Sequence, residues 1–206
     1  MKSPLISVET LFSVIDSDGY LPMHNVGIHL LKKQADSIGL PLTLFSYCKK
    51  WTEKEYHIAM RKYVERFKAQ GITTSLFGDI YLEELRKNRI SNCEKSGITA
   101  DFPLWNMPSL EVMNQFIKCG FKAIVVCINN SLLPEIFLGK IIDREFIETY
   151  PKNLDICGEN GEYHSFVFDG PIFKTHVDFK IVNKYNKTQK DLLTNDLHKY
   201  CYLELE

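Results

Sequence analysis

Up to about residue 130 this chain alternates short apolar runs with segments of helical period; beyond that, strand-like runs dominate. This alternation constrains the fold most. Strands separated by helices form a parallel, layered sheet, whereas strands joined by short connections pair antiparallel. ISVETLFSVI (6–15) reads as a strand ending in an Asp-Ser-Asp-Gly turn. The helix that follows runs to Ile38, with Ile28, Leu31, Ala35 and Ile38 on one face and Gly39 as its left-handed stop. LPLTLFSY is the next strand. Thr52 and Glu55 form a capping box that opens a helix through Phe67, with Tyr56, Ala59, Met60, Tyr63 and Phe67 as its inward stripe. ITTSLFG is a strand running into Asp79, a candidate cap for the helix carrying Leu82 and Leu85, and ITADF is a short strand. Ser109 is expected to cap a helix that turns Leu110, Met113 and Ile117 inward. FKAIVVCI has the near-continuous apolarity of a strand covered on both faces. Asp143 caps a short helix, and SFVFDG, VDFKIVNKY and KYCYLEL are strands, with DLLTNDL a short helix or loop between the last two.

The expected fold is therefore α/β, a Rossmann-like parallel sheet with helices on both faces followed by a C-terminal α+β subdomain. Its 206 residues, 45% hydrophobic, are enough for one large domain or two small ones. The division is placed at 1–107 and 108–206. With a net charge of −1 and no long basic run, a nucleic-acid binder is disfavoured. No apolar stretch reaches membrane-spanning length and no signal peptide leads the chain, so a cytoplasmic protein is expected. The six cysteines are scattered without a CxxC, which argues against a zinc module; no metal site is expected from the protein's own side chains. Cys119 and Cys127 are expected in the core, and Cys157 as a packed thiol at a loop base.

Chemistry concentrates in CGENGEYHSFVFDGPIF (157–173), where Glu159, Asn160, Glu162 and His164 crowd a glycine-rich loop leading into an alternating strand. Polar groups at the mouth of a rigid strand suit a ligand-gripping loop, although Gly-Glu-Asn-Gly is also good turn chemistry. This segment resembles the signature of the diphthine–ammonia ligase family, a branch of the adenine nucleotide alpha hydrolase-like ATP pyrophosphatases. MHNVGIHLLKKQADSIGLPL (23–42), FGDIYLEELRKNR (77–89), FPLW (102–105) and FKAIVVCIN (121–129) resemble further family segments in the family's order, more in its bacterial than its eukaryotic form.

The resemblance implies an amide-forming ligase that adenylates a carboxylate with ATP, accompanied by Mg²⁺, and then transfers ammonia. It implies that Glu159, Asn160, Glu162 and His164 carry the chemistry. Glu159 and Glu162 would grip ammonium or act as base, and His164 would donate to an acyl or phosphate oxygen, or hold a glutamate in place. Phe12, Ser13, His24, Gly78 and Asp79 would meet the nucleotide; Arg86, Gly158 and Gly161 the acceptor. Each has a plainer reading: strand packing for Phe12 and Ser13, helix capping for Asn25 beside His24 and for Asp79, a solvated helix face for Arg86. The family opens with a strand and a Ser-Gly-Gly-x-Asp-Ser phosphate loop that this sequence lacks, and residues 6–15 line up with the family's second strand. Without that central strand a gap is expected between its two neighbours. A late start or cut is the favoured explanation. The others are a strand lent by a partner or second copy, including a homodimer, and a non-catalytic binding remnant with a re-formed sheet.

Overall fold

The structure, a computed structural model, describes residues 6–48, 50–190 and 197–206. Its N-terminal part contains β1 (Leu11–Asp16), the short hairpin of β2 (Tyr20–Leu21) and β3 (Val26–Gly27), α1 (Ile28–Ile38), β4 (Leu42–Tyr47), α2 (Glu53–Ala69), β5 (Thr74–Leu76), α3 (Glu83–Ser96) and β6 (Thr99–Asp101). The C-terminal part contains α4 (Ser109–Lys118), β7 (Lys122–Asn129), α5 (Arg144–Thr149), β8 (Tyr163–Asp169), β9 (Ile181–Lys190) and β10 (Leu197–Leu205). The fold is α/β and Rossmann-like, with a β region at the C-terminal end.

Local signals explain most boundaries. Gly39 ends α1 at φ 81°, and Gly97 ends α3 at φ 69°, a backbone conformation that glycine adopts without strain. The Thr52 hydroxyl accepts from the Glu55 N–H, and the Glu55 carboxylate accepts from the Thr52 N–H, completing the capping box of α2. Asp143 caps α5 by accepting from the Phe146 N–H at 2.9 Å. Three expected caps fail. Gly27, not Asn25, precedes α1; Pro108 precedes α4, so Ser109 is already helical; and α3 is preceded by Leu82, so Asp79 does not cap it. Each displaced polar side chain lies near its helix start in sequence, but the chain enters the helix from another residue. DLLTNDL falls at 191–197; its first six residues lie outside the described ones, and Leu197 begins β10.

The C-terminal strands form one antiparallel sheet in the order β8-β7-β10-β9. β7 is buried from Ala123 to Asn129 because both its faces are covered. Ala123 and Val125 pack with Met113 of α4, Phe146 of α5, Tyr150 and Tyr163. Ile124 and Val126 pack on the other face with Ile15 of β1, Leu30 and Leu31 of α1, Phe166 and Leu203. This second cluster joins the two parts of the chain. Polar contacts reinforce it: Gln34 donates to the Val167 carbonyl, and Ser37 bonds both the carbonyl and the N–H of Thr175. Cys127 is buried as expected, but Cys119 is exposed, because it follows the last turn of α4 on the solvent side; Leu110, 52% exposed, also faces outward.

The parallel strands lie in two pairs, β1 with β4 and β5 with β6. Among the described residues no strand lies between β1 and β5. A cavity of about 1650 Å³ separates the pairs. Residues 6–14 line it in unbroken succession from one side and residues 71–77 from the other. Successive residues of a strand point to opposite faces, so an unbroken run means that each strand turns its edge to the cavity. The inward stripe of α2 faces the same space, which is why Met60 and Val64 are only half-buried. The gap expected from the family resemblance is therefore present in the structure.

Candidate active site

Three loops meet at the carboxyl ends of the parallel strands, where open α/β sheets bind ligands. One follows β1 and carries His24. One follows β5 and carries Gly78 and Asp79. The third, 155–164, enters β8. The Glu159 carboxylate accepts from the Ile80 N–H at 3.3 Å, which fastens the third loop to the Gly-Asp turn. The His24 and His164 rings pack together with centroids 4.4 Å apart, which fastens it to the first. These segments are far apart in sequence and adjacent in space.

The two glutamates of the third loop occupy different environments. Glu162 is 1% exposed, and its oxygens accept from the Asp155 N–H at 3.1 Å, the Asn160 N–H at 3.0 Å and the Asn160 side-chain amide at 3.2 Å. Its carboxylate is consumed in bracing the turn. Glu159 is half-buried and makes the one bond to Ile80; burial, reinforced by Asp155, Asp79 and Glu162, pushes its pKa above the ordinary value against the pull of that N–H. A carboxyl held partly desolvated at a cleft takes up a proton more readily than one in open water. Gly158 sits at φ 75°, and a Cβ there would stand 3.0 Å from the Tyr163 carbonyl; Gly161 sits at φ 82°. Both let the loop fold back sharply.

Both imidazoles are held toward the neutral form. Burial lowers the His24 pKa against a hydrogen bond to the Pro22 carbonyl, and burial, with His24 adding to it, lowers His164 to about 3. On the β5 side, a Cβ at Gly78 would meet nothing within 4 Å, so the backbone there is approachable. Asp79 is buried and paired with Arg89 at 2.5 and 3.2 Å, while the Arg89 guanidinium stacks over Phe77. Arg86 makes no ion pair among the described residues; its guanidinium lies 4.5 Å over Trp105 and 5.4 Å from Phe102. Glu83 and Glu84 occupy the first turn of α3, so the amino end of that helix carries its own negative charge and does not favour an anion. Phe12 stacks edge-on with Phe67 and, like Ser13, lines the cavity beside β1.

Residues 2–100 match the family model of the diphthamide synthase N-terminal domain, and residues 108–200 match that of the diphthamide synthase C-terminal domain. The chain belongs to the diphthamide synthase family. It is similar to the diphthine–ammonia ligase of Schizosaccharomyces pombe, 24% identical over 160 residues that cover 75% of this chain and 24% of the relative. It is 23% identical over 181 residues to that of Bos taurus and over 179 residues to that of Homo sapiens, each covering 78% of this chain and 65% of the relative. The chain thus spans less than two thirds of the length of these curated relatives.

Against this family background, two site residues escape a reading of the sequence. Asp155 accepts from the Glu159 N–H at 2.9 Å and so holds the start of the loop. Tyr81 stands beside the Asn160 side chain, and burial raises its pKa, with Asp155 adding to the shift. Asp155 stands three residues before Gly158, a spacing that a turn search could have found. Tyr81 gives no such signal. Cys157 donates to the Ser109 carbonyl, and burial pushes its thiol up to about 12, so it is a packed thiol and not a nucleophile. Among the described residues no three potential ligands converge on a metal position, and no helix is long and apolar enough to cross a membrane.

Proposed function

We propose that this protein is an ATP-dependent ligase that adenylates a carboxylate and transfers ammonia to it. The observation that carries the reading is the contact of Glu159 with the Gly-Asp turn, which sets the polar loop against the end of β5. Adenine would lie along Phe12 and Ser13, and the phosphates would approach the backbone at Gly78. Mg²⁺ would travel with the phosphates, since the described residues offer no all-protein cage; one or two carboxylates plus phosphate oxygens are its usual setting. Arg86, with no ion pair among the described residues and braced on Trp105, would grip the acceptor near Gly158 and Gly161.

In the first half-reaction a carboxylate oxygen bonds the α-phosphorus and pyrophosphate leaves with the electron pair. In the second, the ammonia lone pair bonds the acyl carbon, the bond to the AMP oxygen breaks, and nitrogen sheds one proton. Glu159 would receive that proton, and Asn160, exposed at the loop tip, would orient the incoming nitrogen. Glu162 supports both by holding the turn. The protein would act in the cytoplasm, with its division into two domains between 107 and 108.

A second reading, nucleotide or partner binding without turnover, is favoured by the open cavity between β1 and β5 and by the acidic first turn of α3. Calorimetric titration with ATP and AMP tests binding. Release of AMP and pyrophosphate by the full chain with ammonium and a panel of carboxylates then separates the two. The ligase reading expects both products in equal amounts; nucleotide binding with no product for any acid would leave the second reading standing.

A further inference from the structure

The loop that carries His24 is strained. Met23 and Asn25, on either side of it, have φ of 65° and 55°; asparagine enters this left-handed region readily, whereas methionine does so only under constraint. Such strain persists where surrounding structure enforces it, most often at functional sites. What it achieves here is the placement of one ring. His24 is tied through Nδ1 to the Pro22 carbonyl and packed against His164. With Nδ1 bonded and its face covered, His24 is poorly placed to hold a nucleotide itself.

The His164 ring has two unlike nitrogens. Nε2 is buried and has no hydrogen-bond partner among the described residues. Nδ1 has no partner among them either, yet it is not one of the buried unpartnered atoms, and the residue as a whole is only partly buried, so Nδ1 is the nitrogen a ligand can reach. A neutral imidazole carries one proton, on one nitrogen or the other. An orphaned buried N–H is rarer in proteins than an unsatisfied acceptor, which places the bare lone pair on the dry side and the proton on the open side.

We propose that His24 is a positioning residue that fixes His164 as its Nδ1–H tautomer, so that Nδ1 donates a hydrogen bond to an oxygen of the ligand, an acyl or phosphate oxygen. The inference rests on the ligase reading only for the identity of that oxygen. Donation by a neutral ring suits a site in which burial keeps both histidines uncharged. It also gives a structural reason for the left-handed residues around His24: a relaxed loop would let water reach Nε2, and the tautomer would no longer be imposed.

Long-range proton–nitrogen correlation spectra of the imidazoles at pH 7.5 test this on the full chain. The wild type is expected to show His164 in one form, protonated at Nδ1. His24→Ala should convert it to a mixture or to the Nε2–H form, whereas His24→Phe, which keeps a ring in place, should retain the Nδ1–H form. Addition of AMP should move the Nδ1 resonances and leave those of Nε2 nearly unchanged. An Nε2–H signal in the wild type, an unchanged tautomer in His24→Ala, or Nδ1 resonances indifferent to AMP would each overturn the proposal. The wild-type spectrum decides the matter even if a variant fails to fold. None of these readings depends on turnover, so a failed ligase assay does not decide them.

Discussion

Replacing Glu162 by Gln is expected to destabilise the fold, whereas the same change at Glu159 is expected to spare it. Glu162 is 1% exposed and its two oxygens serve three N–H groups at 3.0–3.2 Å. An amide can keep one oxygen toward the Asp155 N–H and the Asn160 side chain. Its NH₂ must then confront the Asn160 backbone N–H, donor against donor. A hydrogen bond to a charged group contributes about 1.5–3 kcal/mol, and a stranded buried donor costs about 1–3 kcal/mol more. Some relaxation of the turn is available through Gly161, so a loss of about 2–4 kcal/mol is expected. That is a large share of the roughly 5–15 kcal/mol that holds a typical domain together. Urea titration followed by circular dichroism, at fixed m-value, measures it. A Glu162→Gln midpoint within about 0.5 kcal/mol of wild type, the usual range of an inconsequential surface change, would refute the bracing role.

Glu159→Gln should abolish ammonia transfer, read as AMP release, while leaving the urea midpoint near wild type. Because the folded pKa of Glu159 is raised, its contribution to stability is full below about 4.5 and is lost as pH rises through the folded value; the variant should lack that decline, and a variant with the wild-type profile would contradict it. His164 works in the opposite sense. Its folded pKa of about 3 lies below the ordinary 6.5, so stability present above 6.5 should be lost as pH falls toward 3, and His164→Phe should flatten that window in pH-dependent denaturation. Hydrogen exchange should show the amides of β5, paired with β6 alone beside the cavity, exchanging at least about a hundredfold faster than those of β7, paired on both sides. Equal protection would mean that the edge is covered. Phe146→Ala should cost about 3–5 kcal/mol, since its ring is 1% exposed among Phe137, Tyr150 and Tyr163; a loss below 1 kcal/mol would contradict the packing described.

The elements legible in the sequence are those whose cause is local. Gly39 stops α1, Thr52 and Glu55 make a capping box, and the apolar run of β7 announces a strand covered on both faces; each signal lies within a few residues of its effect. The features that escape have distant causes. Asp79 looks like a helix cap because it precedes a helix, yet Arg89, brought beside it only once α3 has formed, claims its carboxylate. Glu159 and Glu162 are indistinguishable as letters in a glycine loop. The Asp155 and Asn160 amides take one and the Ile80 amide the other. The pairing of His24 with His164 requires the β1 end and the β8 entrance to meet through the core shared by Ile15, Leu30 and Phe166.

The most direct test of the central claim supplies ¹⁵N-labelled ammonium, ATP and a panel of carboxylates to the full chain and follows label, AMP and pyrophosphate together. The account predicts one labelled amide formed per AMP and per pyrophosphate; in Glu159→Gln the labelled amide and AMP are lost and pyrophosphate release stops after a single turnover. Formation of ADP and phosphate, or AMP release with no label in any amide, would contradict it.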